Sequence, residues 1–191
     1  MTGRTHDLAA FTALSYLALT QPIHHISLST ALVAFGANMI GGLMPDIDQP
    51  TAKLWNEIPA GSVFGKILSP LLGGHRFISH SIFGIVLFGV LGWYTLQLAS
   101  HSLLVDMPIV WGSFMIGYVS HLIMDTITRE GVPWLFPIPW KIGIPPFKEF
   151  RIKTGGLIEN AVIFPLLILL TGYIYYNNYA KIIFVLHHYI H

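Results

Sequence analysis

The residues in this sequence that can do chemistry are histidines and carboxylates, and they fall into short, ordered blocks. Asp46 and Asp48 stand in "LMPDIDQP", His75, Arg76 and His80 in "GHRFISHS", and His121 and Asp125 in "GYVSHLIMDTITREG", while His6 and Glu159 stand singly. His121 and Asp125 are four apart, so on a helix they lie on one face, a turn above each other. Asp46 and Asp48 are two apart between Pro45 and Pro50, and in an extended segment both carboxylates point the same way. Imidazole and carboxylate without thiolate form a donor set for Zn²⁺, Mn²⁺ or Fe²⁺ and do not choose among them; the oxygen-rich share suits Mg²⁺ as well. The sequence holds no cysteine, which excludes disulfides, thiolate metal sites and a cysteine nucleophile together. H-E-x-x-H and G-x-S-x-G are both absent, which argues against intramembrane proteolysis.

The elements that must position these residues are apolar. Of the 191 residues, 53% are hydrophobic and only 10% charged, against about 25% charged in soluble domains. A net charge of +1 implies no bulk attraction to nucleic acid. Five apolar segments stand out, Leu8 to Thr20, Leu28 to Met44, Ser81 to Ala99, Ile109 to Met124 and Leu157 to Val185. A spanning helix needs about 20 mostly apolar residues, which the third and fifth meet easily and the first meets least well. The N-terminal "MTGRTHDLAAF" lacks a small-residue cleavage site and is interrupted by His6 and Asp7, so it reads as mature chain. The expected architecture is all-α: one membrane-embedded domain over residues 1–191, a polytopic bundle of about five transmembrane helices with two long cytoplasmic loops, 45–80 and 127–156.

If all five segments cross, the N-terminus and both long loops share one side. That side carries Arg4, Lys53, Lys66, Arg76, Arg129, Lys141, Lys148, Arg151 and Lys153, and the other has only Lys181. The positive-inside rule assigns the basic side to the cytoplasm. His6, Asp46, Asp48, His75, His80, His121, Asp125 and Glu159 all fall on that same side, whereas His24, His25, His101, His187, His188 and His191 fall on the other side or at the tail. A single histidine at a helix end reads as an interfacial polar residue, and "PDID" alone reads as a helix stop. Convergence at one membrane face is what argues for a metal site, since a cation offsets both the repulsion between the acids and the several kcal/mol of desolvation each unpaired ion costs.

Three blocks, "LMPDIDQP", "GHRFISHS" and "GYVSHLIMDTITREGVPWLFP", resemble the signatures of the YdjM-like inner-membrane proteins, described as LexA-regulated, membrane-bound metal-dependent hydrolases. The family pattern is close to L-P-D-x-D, G-H-R-x-x-T-H-S and S-H-x-x-x-D-x-x-T-x-x-G-V-x-x-x-x-P, and Ser79 stands where the family often has Thr. The resemblance covers nearly the whole chain. It implies a bacterial inner-membrane protein and, through a distant similarity to zinc-dependent phospholipase C and single-strand nucleases, a helical zinc site in which His121, Asp125 and Glu159 would match the His-x-x-x-Asp helix and the later Glu. The soluble enzymes also use an N-terminal Trp as a ligand; this chain has Met1, and His6 would supply part of what is missing.

The expectation is therefore a hydrolase of a phosphoester or phosphodiester at the cytoplasmic face. Asp46, Asp48, His80, His121 and Asp125 form the expected metal core, with His6, His75 and Glu159 as further ligands. Zn²⁺ is the expected ion by the resemblance. Asp48 or Glu159, where unligated, would act as general base, and Arg76 would hold a phosphate bidentately. "KIGIPPFKEFRIK" alternates basic and apolar residues, which suits anionic headgroups, so membrane lipids are the expected partners and a lipidic phosphate the expected substrate. Two other classes stand beside this one: a metal-binding membrane protein without catalysis, and an ion- or proton-coupled transporter. Transport calls for polar residues along the helix middles; here they cluster at one end.

Overall fold

Small residues inside the apolar segments decide how the helices meet. The computed structural model describes residues 1–21, 26–52, 55, 61–71, 73, 76–100 and 104–190. His24, His25, Lys53, His75, His101 and His191 lie outside the described residues. The helices are α1 (Gly3–Thr20), α2 (Leu28–Leu43), α3 (Gly61–Leu71), α4 (Ile82–Ala99), α5 (Met107–Thr126), α6 (Phe164–Asn177) and α7 (Tyr179–Ile190). A 3₁₀ turn, Met44–Asp48, continues α2, and a π-helical turn, Glu159–Ile163, leads into α6.

Helix α5 is the centre of the bundle and packs against α1, α2 and α4. Its contact with α2 is close because glycines face backbone. A methyl at Gly41 would stand 2.0 Å from the Phe114 carbonyl oxygen, and one at Gly117 would stand 2.1 Å from that of Asn38. Buried Asn38 donates from Nδ2 to the Ser113 carbonyl at 3.0 Å across the same contact. This is the small-residue, polar-bonded packing expected of helices in lipid, where apolar surface gains nothing by helix association. Helix α4 is apolar all round and buries only Gly84 and Gly89, as suits a helix that faces lipid.

Among the described residues, four helical stretches are long and apolar enough to cross a membrane: Leu28–Asp48, Ile82–Ala99, Met107–Thr126 and Glu159–Asn177. These correspond to the second to fifth predicted segments. The first is a full helix too, but its inward face is polar. Thr5, His6, Thr12 and Ser15 are buried, and Thr12 Oγ1 meets Thr171 Oγ1 at 2.7 Å. The fifth segment is longer than one span and breaks at Asn178, whose Nδ2 donates to the Ile174 carbonyl at 2.9 Å.

Both long loops have structure. In 45–80, read from the sequence as a long loop, stands helix α3. In 127–156, Val132 pairs with Ile142 and Thr128 with Ile152 as isolated bridges. Ile82 N donates to the Trp134 carbonyl at 3.0 Å, which ties this loop to the start of α4. The alternation of the chain then brings five ends together: the starts of α1, α4 and the final span, and the ends of α2 and α5.

Candidate metal centre

Local caps fix the residues at this end. Ser81 Oγ accepts from Gly84 N at 3.0 Å and caps α4, so His80 is held immediately before the helix. Helix α5 carries His121 and Asp125 on its inward face. The 3₁₀ turn follows α2 without a break and presents Asp46, while Asp48 is fully buried behind it.

Four atoms make a ring. His80 Nε2 lies 3.7 Å from Asp46 Oδ1 and 3.6 Å from Asp125 Oδ2, and His121 Nε2 lies 3.6 Å from Asp46 Oδ1 and 3.7 Å from Asp125 Oδ2. Asp46, His80 and His121 each offer a ligand atom within 4.8 Å of the others. Ligands of a tetrahedral ion with 2.0–2.2 Å bonds stand about 3.3–3.6 Å apart, so the edges of the ring are close to ligand spacing. His121 Nδ1 lies 2.7 Å from the Gly42 carbonyl. That contact makes Nδ1 the protonated nitrogen and leaves Nε2 with a lone pair and no hydrogen-bond partner, the outer-shell arrangement that metal-binding histidines use. The donor set, its spacing and this orphaned nitrogen fit a divalent cation.

His6 adds a second grouping, with His121 and Asp125. Its ring stacks on His121 with centroids 3.7 Å apart, and its Nε2 lies 3.3 Å from Asp125 Oδ1. Because Gly42 occupies Nδ1 of His121, both groupings draw on the same Nε2. They compete for it, so one ion bound through His121 uses one grouping or the other.

Behind the ring stands a set of groups that orient it. Asp48 Oδ2 accepts from Arg76 N at 2.8 Å and from Ser79 Oγ at 2.5 Å, and lies 3.6 Å from His80 Nδ1. Tyr118 donates from its hydroxyl to the Ser79 carbonyl at 2.5 Å. Arg76 turns inward. Its Nη2 lies 2.5 Å from Asp125 Oδ2, an ion pair whose angle is not that of a hydrogen bond, and its Nη1 donates to Thr128 Oγ1 and the Gly131 carbonyl, both at 3.4 Å. Arg76 has φ 59°, a left-handed conformation costly for a side-chain-bearing residue; the Asp48 bond to its own N–H holds it there. Burial opposes a charge on His80, yet Asp125, Asp48 and Asp46 outweigh it and hold its pKa above the ordinary imidazole value. A cation bound at His80 Nε2 would compete with that proton.

The structure thus gathers His6, Asp46, His80, His121 and Asp125, and sets Asp48 and Arg76 directly behind them. Glu159 is held apart. Its Oε1 accepts from Thr2 N, Thr2 Oγ1 and Thr5 Oγ1 at 2.7, 2.6 and 2.7 Å, and its Oε2 accepts from Gly155 N at 2.8 Å. His75 lies outside the described residues. Sequence reasoning missed Ser79, Tyr118 and the Gly42 carbonyl as orienting groups. Tyr118 had a signal, since it precedes His121 by three and shares its helix face; the Gly42 carbonyl had none, because it acts through backbone.

The family model described as YdjM inner membrane protein matches residues 1–186. The protein YvsG of Bacillus subtilis (strain 168) is 31% identical over 167 residues, 85% of this chain and 88% of YvsG. The inner membrane proteins YdjM of Escherichia coli (strain K12) and Shigella flexneri are each 30% identical over 108 residues, 54% of this chain and 48% of theirs. The match thus spans about half the length of those two relatives. No solved structure matches the chain. With a matched region that takes in all of the ring residues and four apolar spanning-length helices, the chain belongs to the YdjM inner membrane protein family.

Proposed function

We propose that the ring binds one divalent cation, Zn²⁺ first by its donor set, and that the protein hydrolyses a phosphoester or phosphodiester of a lipid-like substrate at the cytoplasmic face of the membrane. The observation that carries this reading is the ring itself: two imidazole nitrogens and two carboxylate oxygens with edges of 3.6–3.7 Å, one of them an imidazole nitrogen with no other partner. A bound cation supplies Lewis acidity, lowering the pKa of water toward about 7 and neutralising charge on phosphate oxygens.

The chain's own residues divide the remaining work. Asp46 is 27% exposed at its side chain, whereas His80, His121 and Asp125 are at most 1% exposed, so substrate and water enter past Asp46. Its Oδ1 faces the imidazoles, and in this reading its other oxygen takes the proton from water. Asp125 already has Arg76 as a counter-charge. With Asp125 so engaged, Asp46, His80 and His121 act as a three-ligand set that keeps a coordination position open, as catalytic sites require. Asp48 and Arg76 are positioning groups here, because hydrogen bonds and the ion pair commit them inward. Trp140, Ile144, Phe147 and Phe150 are exposed on the 127–156 loop among Lys141, Lys148 and Lys153, a surface suited to anionic headgroups.

A second reading has its own support. If Asp125 leaves Arg76 to complete four protein ligands, the site is closed, as structural sites are. Purified protein separates the two. The wild type is expected to hold about one ion per chain, and His121→Ala and Asp46→Ala to lose it, with phosphodiesterase activity on phospholipid vesicles tracking metal content. Metal retained by both variants overturns the site. Metal lost by both, with no hydrolysis by the wild type across phospholipids and nucleotides, overturns the hydrolase and leaves the structural ion.

A further inference from the structure

Helix α3 has its faces the wrong way round for a helix in water. Val63, Phe64, Ile67 and Leu71 are all exposed. At about 100° per residue these four lie within one apolar stripe, and Gly65 falls on the opposite side. The side toward the protein is the glycine side. A methyl at Gly65 would stand 2.8 Å from Pro50 Cα and 2.8 Å from Trp55 Nε1, and one at Gly61 would stand 2.2 Å from the Trp55 carbonyl oxygen. So α3 is pressed by its small residues onto the segment that follows Asp48, and it turns its large apolar side chains away from the protein. A helix of 11 residues is about 16 Å long, too short to cross a bilayer.

Its position names the occupant. Helix α3 packs on the 3₁₀ turn Met44–Asp48, and that turn is the end of the spanning stretch Leu28–Asp48. The helix therefore stands at the depth where a spanning helix leaves the hydrocarbon, with its apolar stripe exposed. Lys66 is exposed on the flank of that stripe, where its stem can follow the apolar surface and its ammonium can reach phosphate headgroups. The seat leads inward as well: the Trp55 indole, beneath Gly65, donates from Nε1 to the Ile47 carbonyl at 3.1 Å, between Asp46 and Asp48.

We propose that α3 is an in-plane membrane helix, its Val63, Phe64, Ile67 and Leu71 stripe inserted at the boundary between headgroups and acyl chains, and that through Trp55 it buttresses the turn carrying Asp46 and Asp48. The occupant of the exposed stripe is the bilayer.

The chain has no cysteine, so single substitutions in the full protein can be spin-labelled directly. The variants Val63→Cys, Phe64→Cys, Ile67→Cys, Leu71→Cys, Lys66→Cys and Ser69→Cys are reconstituted in phosphatidylethanolamine–phosphatidylglycerol vesicles. Collision with oxygen is compared with collision with a water-soluble nickel chelate. Positions 63, 64, 67 and 71 are expected to favour oxygen and position 66 nickel, while position 69, beside Gly65, is expected to be shielded from both, with helical periodicity. Free access of nickel to all six overturns the proposal. Shielding of the four from both reagents, with dipolar broadening between labels on different chains, also overturns it and assigns the stripe to a second copy. The buttress is tested by Trp55→Phe, which keeps the ring and removes the donor. Exchange of the Gln49 amide, bonded to the Asp46 carbonyl at 2.9 Å, is expected to quicken about fivefold, the effect of losing one hydrogen bond. Unchanged exchange removes the link to Asp46 and Asp48. Neither arm involves a metal, so failure here and failure of the metal reading are separate results.

Discussion

Two buried carboxylates, Asp125 and Glu159, sit at the same end of the bundle, and neither has any solvent exposure. Their surroundings differ in kind. Glu159 meets four ordinary donors, two hydroxyls and two backbone N–H groups, all at 2.6–2.8 Å. That is a complete shell, and it pins the start of α1 to the final span. Asp125 meets the Met1 backbone nitrogen at 2.5 Å, the Arg76 guanidinium at 2.5 Å and three imidazoles at 3.3–3.7 Å. The imidazole contacts are too long to be good hydrogen bonds and close to the spacing of ligands around an ion. Burial of an acid does not mark chemistry; a ring of lone-pair donors at ligand spacing beside it does.

The largest expected effect is at Asp125. Asp125→Asn leaves Arg76 buried without its counter-charge, and breaking a buried pair in this way costs about 3–5 kcal/mol. It also removes one charge from the ring. The wild type is expected to gain about 2.7 kcal/mol from Zn²⁺ at a hundredfold excess over Kd, and Asp125→Asn to lose most of that gain. Thermal unfolding in detergent, with and without Zn²⁺, reads both quantities. A variant that keeps the full gain would mean that Asp46, His80 and His121 hold the ion without Asp125.

Much of this end was legible in the sequence because residue spacing carries through helices. His121 and Asp125, four apart, do share a face, and the strict alternation of helix direction does deliver Asp46, His80 and His121 to one end. Five apolar segments foretold α1, α2, α4, α5 and the final span, and the resemblance to YdjM-like proteins is matched by the family finding. What failed to show in the sequence depends on tertiary contacts. Glu159 looked like a ligand because nothing in "GGLIEN" reveals that Thr2 and Thr5, more than 150 residues away, would satisfy it. Asp48 looked equivalent to Asp46, but the 3₁₀ turn replaces the expected extended segment, so the two carboxylates diverge, one to the ring and one to the Ser79 hydroxyl. Arg76 looked free for phosphate, and its positive φ, invisible in sequence, turns it inward. Helix α3 was hidden because 11 residues with two glycines and Pro70 carry too little pattern to stand out.

Asp48 lies between the two extremes, a buried acid that touches the ring through others. Asp48→Asn keeps the shape and weakens the acceptor for Ser79 Oγ and Arg76 N. Loss of such an outer-shell partner typically costs 10–100-fold in metal affinity, and that is the expected fall. A pH series sharpens it. Because the His80 pKa is raised, its proton competes with the ion, so wild-type affinity falls as pH drops below that raised value. Asp48 is among the groups that raise it. The variant's affinity is therefore expected to be lower at its plateau but to begin its fall at a lower pH. A fall that begins at the same pH as in the wild type would mean that Asp48 acts on packing alone.

The smallest effect on the metal is expected at Glu159, and it is the sharpest test of the comparison. Glu159→Gln keeps the length of the side chain and replaces one oxygen with an NH₂ group. Either Gly155 N–H or the Thr2 and Thr5 donors then face another donor, and an unsatisfied buried group costs about 1–3 kcal/mol. Unfolding in detergent is expected to move down by that amount with and without Zn²⁺ alike, so the increment from the metal stays the same. Metal content per chain and Kd for Zn²⁺ are expected to match the wild type. A Glu159→Gln protein of normal stability that had lost its ion would reverse the assignment, making Glu159 the ligand and its four hydrogen bonds the resting arrangement from which it swings to the ring.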